Sequence, residues 1–297
     1  MPAAIRPFER RDRDQLTALA NLHVGAVIPG VMLSVNTVLG QLEREPYENM
    51  VDPWVAERLC LVAEQESGIV AATLLHRFRT DDDVSAGYRG AGGIRWLLCK
   101  VDAEPAGALL LEQALAQMRL WQVTMVGAEN DLPAIACYGV PNTLPHIRRL
   151  LLDAGFGQPT RAELVLAARC EALTVHRRDG ISVTRTLGLL GARFTLSADD
   201  AELGFIEVCE APAEMARSSI AARWADIGNL ILREGVDPAD AMPALLSAAA
   251  DWLLLGGVTR LVDYWAEDVD SPSYLEHLER AGFHVLVRNE RGFTRAV

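Results

Sequence analysis

The residue types that most often serve as nucleophiles or metal ligands form no motif in this sequence. The five cysteines are scattered without a Cys-x-x-Cys pair, and none has a histidine at a motif spacing. The six histidines include no i, i+4 pair and no spacing typical of zinc ligands. We therefore expect no metal site and no cysteine nucleophile, and we expect the cysteines to be reduced, small, buried residues.

The sequence is compatible with acid–base chemistry on a bound small molecule. Asp226 heads the apolar run 226–232, where its carboxylate could act as a general base or could be solvated at the end of a strand. A strand predicted over 94–101 is followed directly by a helix that opens at Pro105 or Ala106. A short loop between a strand and a helix is a place where an anionic group can meet unpaired main-chain N–H groups.

One pattern of elements occurs twice along the chain. A helix, a strand that begins Val-Thr, a second helix and the triplet Ala-Gly-Phe follow one another in both halves. The repeat predicts two units of one fold, which we place at residues 1–170 and 171–297. The repeated segments are 109–115, 123–126 and 154–156 in the first half and 244–250, 258–261 and 281–283 in the second.

The segments before the repeated pattern differ between the halves. The first half begins with a short strand and an amphipathic helix from Asp12, followed by an antiparallel hairpin over 59–64 and 68–75 and a polar loop over 79–93. In the second half, four segments alternate like strands with no helix between them. The second unit is therefore predicted to be a shortened copy that lacks the early helices. The four segments are 173–178, 181–186, 192–196 and 203–208.

Composition narrows the class of protein. Half of the 297 residues are apolar, and 28 basic against 40 acidic residues give a formal net charge of −12. Such a charge repels the phosphates of nucleic acid, so nucleic acid is not an expected partner. No apolar run reaches the roughly 18 residues of a membrane span, and the N-terminus is charged rather than signal-like. We expect a cytoplasmic protein that binds neither nucleic acid nor a membrane.

The order of elements in the first half is strand, helix, hairpin, strand, short loop, helix, strand, helix, Gly-Phe, strand. This order resembles that of the GNAT superfamily of N-acetyltransferases, over nearly the whole chain as two tandem copies at 3–170 and 173–297. The resemblance implies an α/β (α+β) fold in which each domain is a mixed central sheet with flanking helices. It also implies acetyl-CoA as co-substrate, with the pantetheine arm between two splayed parallel strands and the pyrophosphate against the N–H groups of the next loop.

The resemblance assigns candidate site residues to both copies. Asp226 is the candidate general base, and Tyr274 or Tyr138 is the candidate acid that protonates the departing thiolate. Tyr264 is a third nearby alternative. These tyrosines are considered because Leu151 and Leu278 stand where the family often carries tyrosine, and each could instead be a packing residue with a solvated hydroxyl. The candidates for binding acetyl-CoA are Leu98, Cys99, Lys100, Val101, Ala106, Gly107 and Ala108 in the first copy and Leu230, Ile231, Leu232, Ala239 and Ala241 in the second.

Both copies depart from the family pattern at the phosphate loop. The first has Asp102 in place of the usual Arg or Gln and Pro105 in place of the first glycine. The first copy keeps a small residue, Gly107, at the third place. The second has Asp237 for the Arg or Gln, Asp240 for the first glycine and Met242 for the second small residue. An acidic side chain beside a pyrophosphate is repulsive. Asp237 followed by Asp240 is typical of a helix N-cap with an acidic first turn.

Three functions are compatible with these features. The first is an N-acetyltransferase that moves an acetyl group from acetyl-CoA to an amine of a small molecule or peptide. The second is a catalytically inactive GNAT-fold protein that binds another small molecule or a protein, and the third is a structural partner that dimerises through its strands. The negative charge would favour a cationic acceptor, and Glu129, Asp263 and Glu267 could hold the amine or be solvated surface residues. A monomer and a homodimer are both compatible with the sequence.

Overall fold

The computed structural model describes residues 3–43, 52–173, 181–199, 201–210 and 223–297. They form two compact units. Unit 1 comprises Met1–Ala162 together with Asn289–Val297, and unit 2 comprises Glu163–Arg288. The boundary after residue 170 divides the repeated sequence and stays a prediction. The strand predicted over 173–178 lies, apart from Leu173, outside the described residues.

The elements follow the predicted order closely. In the first part of the chain they are β1 (Ala4–Pro7), α1 (Arg13–Val27), α2 (Val35–Leu42), β2 (Val55–Gln65), β3 (Gly68–Phe78), β4 (Gly92–Cys99), α3 (Glu104–Leu120), β5 (Met125–Ala128), β6 (Val140–Pro141) and α4 (Pro145–Asp153). They continue with β7 (Arg161–Arg169), β8 (Ile181–Leu187), β9 (Ala192–Ala198), β10 (Ala201–Glu210), β11 (Arg223–Leu232), α5 (Pro238–Leu255), β12 (Val258–Ala266), α6 (Pro272–Arg280), β13 (His284–Arg291) and β14 (Phe293–Ala296).

Unit 1 is built on a sheet with the strand order β1-β2-β3-β4-β5-β14. The predicted hairpin is confirmed as the antiparallel pair β2 and β3, while β4 and β5 run parallel. Helix α3 covers the apolar core of this sheet, in which Leu110, Leu111 and Ala114 are fully buried. The last strand, β14, comes from the end of the chain and pairs antiparallel with β5, with Phe293 opposite Ala128.

Unit 2 is built on strands in the order β13-β7-β12-β11-β10-β9-β8. Here β11 and β12 are the parallel pair, and α5 covers the core with Leu245, Ala249 and Leu253 fully buried. Strands β8, β9 and β10 follow one another with no helix among the described residues between Ile181 and Glu210. Over this described stretch the second copy is shorter than the first, as predicted.

The repeated Ala-Gly-Phe triplet ends a helix in the same way in both units. Gly155 and Gly282 have φ values of +83° and +103°, in the left-handed region that favours glycine. The following Phe156 N–H donates to the Leu151 carbonyl at 3.0 Å, and the corresponding bond from Phe283 reaches Leu278. This is the Schellman arrangement, in which the residue after the glycine packs against the last helical turn. The triplet therefore has the same role in both units, which is to stop a helix.

Candidate functional site

In each unit the parallel strands pair over a few residues and then separate, leaving a fork. In unit 1 the pairing of β4 with β5 ends at Ile94 opposite Ala128, and β4 continues to Cys99. In unit 2 the pairing of β11 with β12 ends at Asp226 opposite Val262, and β11 continues to Leu232. We call the region beyond Ile94 and Ala128 the first fork and the region beyond Asp226 and Val262 the second fork.

The first fork is closed by the chain that leaves β5. The main-chain N–H of Glu129 donates to the Ile94 carbonyl at 3.0 Å, and that of Asp131 donates to the Arg95 carbonyl at 2.6 Å. Between them, Asn130 is 5% exposed, and its Oδ1 accepts from the Leu97 N–H at 3.1 Å. The edge of β4 that faces this fork is thus hydrogen-bonded to the protein's own groups.

Two buried histidines complete the closure at the end of β4. The Cys99 N–H donates to His23 Nε2 at 3.0 Å, and His146 Nε2 lies 2.9 Å from the Cys99 carbonyl, to which it donates. Burial lowers the pKa of His23 to about 4, so its ring is neutral near pH 7. Because Nε2 accepts, the proton lies on Nδ1, which has no partner among the described residues.

The glycine retained in the first phosphate loop has a packing role. A Cβ on Gly107 would come within 2.8 Å of both Cys99 Sγ and Leu150 Cδ1. Gly107 therefore lets α3 lie close to β4 and α4. Of the other acetyl-CoA candidates in this copy, Leu98, Cys99 and Ala106 are buried, Lys100 is half-buried, and Val101 and Ala108 are exposed on the surface.

The second fork has no closure of this kind among the described residues. On its outer side β11 stays paired with β10 as far as Leu232, but no described side chain hydrogen-bonds to its main chain between Ile227 and Leu232. Gly228 and Ile231 are exposed there, the latter to 50%. Candidates Leu230 and Leu232 are half-buried and pack against the core beneath α5. The inner edge of β11 can therefore accept hydrogen bonds from, and donate them to, a bound molecule.

A buried carboxyl and a tyrosine meet at the base of the second fork. Asp263 is the first residue of β12 beyond the paired segment and is 5% exposed. The Tyr274 hydroxyl, near the start of α6, donates to Asp263 Oδ2 at 2.5 Å, and the Tyr264 N–H donates to Oδ1 at 2.8 Å. Burial raises the pKa of Asp263 to about 7, and burial beside this carboxylate raises the pKa of Tyr274.

Asp226 approaches the same fork from the other face of the sheet. Ala225 and Ile227 pack in the core beneath α5, so the side chain of Asp226 between them points away from that helix. Leu261 packs in the same core, so Asp263, two residues further on, points toward the helices. Asp226 is half-buried, and burial raises the pKa of its carboxyl. A carboxylate on one face and a tyrosine hydroxyl on the other thus flank the fork.

The phosphate loop of unit 2 forms the predicted helix cap. Asp237 is the N-cap of α5, and its side chain accepts from the Ala239 N–H at 2.9 Å, which confirms that prediction. The Ala241 N–H bonds to the Asp237 carbonyl, so neither alanine candidate offers a vacant N–H. Beside this end of α5 lies a cavity of about 120 Å³ whose lining includes His277 and Arg280 from the last turn of α6.

The remaining catalytic candidate, Tyr138, belongs to unit 1. Its ring lies 4.8 Å from the Arg291 guanidinium, and both residues line a cavity with Glu129. Glu267, a candidate for holding the amine, pairs with Arg288 at 2.7 Å on the surface. Neither is part of the second fork.

Sequence reasoning missed the pairing of Asp263 with Tyr274 and the histidines of the first fork. The one available signal for the pair was a carboxylate directly after the apolar residues Leu261 and Val262 of β12. The histidines gave no signal, because His23 lies 76 residues from Cys99 and His146 lies 47 residues from it.

Among the described residues no group of histidine, cysteine, aspartate and glutamate side chains could hold a metal ion. No described helix combines the length and apolarity needed to cross a membrane.

Comparison with known proteins defines the fold. No protein-family model matches the chain, and no curated protein matches it in sequence. A tandem GNAT protein from the clavulanic acid biosynthesis pathway, solved without AcCoA, superposes with a TM-score of 0.65 at 14% identity, covering 99% of this chain and 98% of the other. A GCN5-related N-acetyltransferase from Sphaerobacter thermophilus gives 0.59 at 12% identity, covering 99% and 95%.

A third structure places the same architecture inside a larger protein. It is the GCN5-related glucosamine N-acetyltransferase region of a fungal multidomain GH3 β-N-acetylglucosaminidase, with a TM-score of 0.61 at 14% identity. The alignment covers 97% of this chain but only 38% of that protein. These likenesses confirm the predicted tandem GNAT fold of two mixed α/β domains. At such identities they describe the fold and not the activity.

Proposed function

We propose that this chain is an acetyl-CoA-dependent N-acetyltransferase whose active site is the second fork. The observation that carries the proposal is the open edge of β11 beside the Asp263 and Tyr274 pair. The first fork takes no part in it, because main-chain and side-chain groups of the protein already bond to the edge of β4 that faces this fork. The N-acetyltransferase names of the structurally similar proteins support the reaction class.

The second fork fits the extended arm of acetyl-CoA better than its phosphates. The main chain of Leu230, Ile231 and Leu232 would pair with the amides of the arm, as a strand pairs with a neighbour. The helix N-terminus is already capped by Asp237, so it offers little to a pyrophosphate. Arg280 and His277, which line the cavity beside that helix end, would supply the charge and hydrogen bonds for the phosphates instead.

The residues around the fork can manage the two proton transfers. Bound acetyl-CoA would supply an acetyl group activated as a thioester. Asp226 takes a proton from the acceptor ammonium, and the raised pKa of its carboxyl makes it a better base than a solvated aspartate. Tyr274 donates its hydroxyl proton to the departing sulfur from the opposite face of the sheet.

Asp263 acts through Tyr274 as a positioning residue. Its carboxyl fixes the tyrosine oxygen at 2.5 Å, and with a pKa of about 7 it is partly protonated near neutral pH. It can therefore return a proton to Tyr274 as the tyrosine gives one up. The acceptor ammonium loses two protons in all, one of which ends on the sulfur and the other in solvent.

We assign an amine of a small molecule or peptide as the acceptor. An ammonium group suits the second fork because Asp226 is a carboxyl with no ion pair to a described cation. The net charge of −12 would raise the local concentration of such a cation.

Calorimetric titration with acetyl-CoA is the first test. We expect one site per chain, and we expect Arg280→Glu to weaken binding about tenfold because it reverses a charge next to the phosphates. Arg13→Glu is the matched control, since Arg13 is also an exposed arginine beside an acidic residue but lies on α1 of unit 1. No heat at millimolar acetyl-CoA would overturn the proposal.

A catalytically inactive protein is the second candidate, and the Asp237 cap favours it. An aspartate whose side chain already holds the Ala239 N–H removes a donor that a phosphate would otherwise use. A protein of this kind would give no heat with acetyl-CoA and would release no thiol from it in the presence of an amine panel. Binding with thiol release would leave only the transferase.

A further inference from the structure

Unit 1 contains a cavity of about 560 Å³ that the proposed transferase reaction does not use. Its floor is formed by Gly127 of β5 and by Thr294, the residue paired with it on β14. Val126 and Ala128 pack in the core beneath α3, so the cavity lies on the face of the sheet away from that helix. We call it the unit 1 cavity, and its lining consists of Phe78, Tyr88, Arg95, Gly127, Ala128, Glu129, Asp131, Tyr138, Arg291, Gly292, Phe293 and Thr294.

Aromatic side chains form much of its wall. Phe78 and Tyr88 meet edge to face with ring centroids 5.0 Å apart, and Trp54 supports Tyr88 at 5.7 Å. Tyr138 lies beside the guanidinium of Arg291. Rings fixed in this way provide flat apolar surfaces for a ligand of similar shape. A volume of this size is within the range of small-molecule pockets.

Charged side chains of both signs line the cavity. Arg95 bonds to Glu129 at 3.1 Å and also pairs with Asp131. Two carboxylates around one guanidinium leave a net negative charge, and they are the more exposed partners, at 39% and 34% against 16% for Arg95. Arg291 brings positive charge beside Tyr138. The lining thus offers one acidic region and one basic region between aromatic walls.

From this arrangement we infer that the unit 1 cavity binds a small zwitterion with an aromatic body, such as an aromatic amino acid. The ammonium group is held by Glu129 and Asp131, the ring packs against Phe78 and Tyr88, and the carboxylate faces Arg291. No acetyl transfer takes place there, because the neighbouring first fork is filled by protein groups. Unit 1 is therefore a binding module, whether or not unit 2 is a transferase.

Calorimetry with three related probes tests the class of ligand. L-Phenylalanine carries both charges, phenethylamine only the positive one and phenylacetate only the negative one. We expect phenylalanine to bind most tightly and each of the other two to bind about tenfold more weakly, since each loses one charge-assisted contact. Equal affinity for phenylalanine and phenethylamine would show that the carboxylate is not recognised and would overturn the assignment of a zwitterion. No heat from any probe at 10 mM, roughly the weakest affinity expected of a specific site, would overturn the whole inference.

A cavity-filling variant tests the location. A Cβ on Gly127 meets no atom within 4 Å, so Gly127→Val should fold while its side chain fills the floor of the cavity. Gly40→Val is the matched control, because Gly40 on α2 is also open. We expect phenylalanine binding to be lost in Gly127→Val and kept in Gly40→Val, and equal binding by the two folded variants would refute the location.

If Gly127→Val does not fold, a variant that removes a charge from the cavity lining tests the location of the binding site instead. Glu129→Gln removes one of the two carboxylates at the acidic region while keeping the size of the side chain. We expect it to weaken phenylalanine and phenethylamine severalfold and to leave phenylacetate unchanged. The same loss for all three probes would overturn the assignment of the ammonium group to this region.

Discussion

Both forks form where two parallel strands separate, but they differ in the protein groups that bond to the edge strand. In the first, side chains of His23, Asn130 and His146 reach the main chain of β4 and satisfy it. In the second, Asp263 and Tyr274 bond to each other, and no described side chain bonds to the main chain of β11 between Ile227 and Leu232. A polar group buried against the main chain stabilises the fold, whereas a titratable pair beside vacant main-chain groups can serve a ligand. The difference separates a structural copy from a candidate active copy.

The forks also respond to pH in opposite directions. Folding raises the pKa of Asp263, so its contribution to stability is complete at low pH and is lost as pH rises through about 7. Folding lowers the pKa of His23, so its contribution is complete above the unfolded value of 6.5 and is lost as pH falls through about 4. Stability measurements can therefore address each fork separately.

The largest expected effect is that of Asp263→Asn on the pH dependence of stability. A pKa raised from 3.8 to about 7 corresponds to about 4 kcal/mol, at about 1.4 kcal/mol per pH unit. Relative to the variant, the wild type should lose about that much unfolding free energy between pH 4 and pH 8. Urea unfolding across this range measures it, with Asp251→Asn on the exposed face of α5 as control. Parallel curves for wild type and Asp263→Asn would mean that Asp263 is not a buried acid.

His23→Gln should show the opposite trend. With a pKa lowered from 6.5 to about 4, the wild type should lose about 3 kcal/mol relative to the variant as pH falls from 6.5 to 4. Glutamine can still accept the Cys99 N–H but does not titrate. The same urea series checks this, with the exposed His284→Gln as control. An acid dependence that survives in His23→Gln would place its origin elsewhere.

Tyr274→Phe tests the chemistry of the second fork. We expect kcat for acetyl transfer to fall about 100-fold, the usual loss for a general acid, with acetyl-CoA affinity unchanged. Tyr264→Phe is the control, because it removes the hydroxyl of the neighbour whose N–H, not its ring, bonds to Asp263. An unchanged kcat in Tyr274→Phe would remove the tyrosine from the mechanism.

The smallest expected effect is that of Asp237→Ala. The loss of an N-cap should cost about 1 kcal/mol, while the Ala239 N–H becomes available to a phosphate. Acetyl-CoA should then bind severalfold more tightly despite the lower stability. Ser34→Ala removes a similar cap from α2, where Ser34 accepts from the Thr37 N–H at 3.1 Å, and should cost stability without changing affinity. Equal affinities in the two variants would show that phosphates do not approach the start of α5.

Local signals in the sequence predicted most of the fold. The hairpin of β2 and β3, the repeated helix and strand pattern and the Asp237 cap follow from neighbouring residues, and all were confirmed. The Ala-Gly-Phe triplet could be recognised as a repeat because the same helix stop needs glycine in both units.

The sites could not be predicted to the same extent, because they depend on where strands part. The end of the β11 and β12 pairing at Asp226 is set by packing across the whole sheet, and no local pattern marks it. The same limit applies to His23, whose contact with Cys99 requires α1 and β4 to be placed first. Gly107 misled the prediction in the opposite way. It matched a phosphate-binding motif in the sequence, but in the structure it allows α3 to pack closely against Cys99 and Leu150.

The pairing of β14 with β5 has a consequence for synthesis on the ribosome. The sheet of unit 1 is completed by Phe293–Ala296, which pairs with residues 125–128 from much earlier in the chain. An emerging chain must therefore hold the edge of β5 unpaired until Phe293–Ala296 have left the exit tunnel. An open strand edge invites pairing with other chains. Deletion of the four residues Phe293–Ala296 would expose this edge permanently and should turn the product toward aggregation.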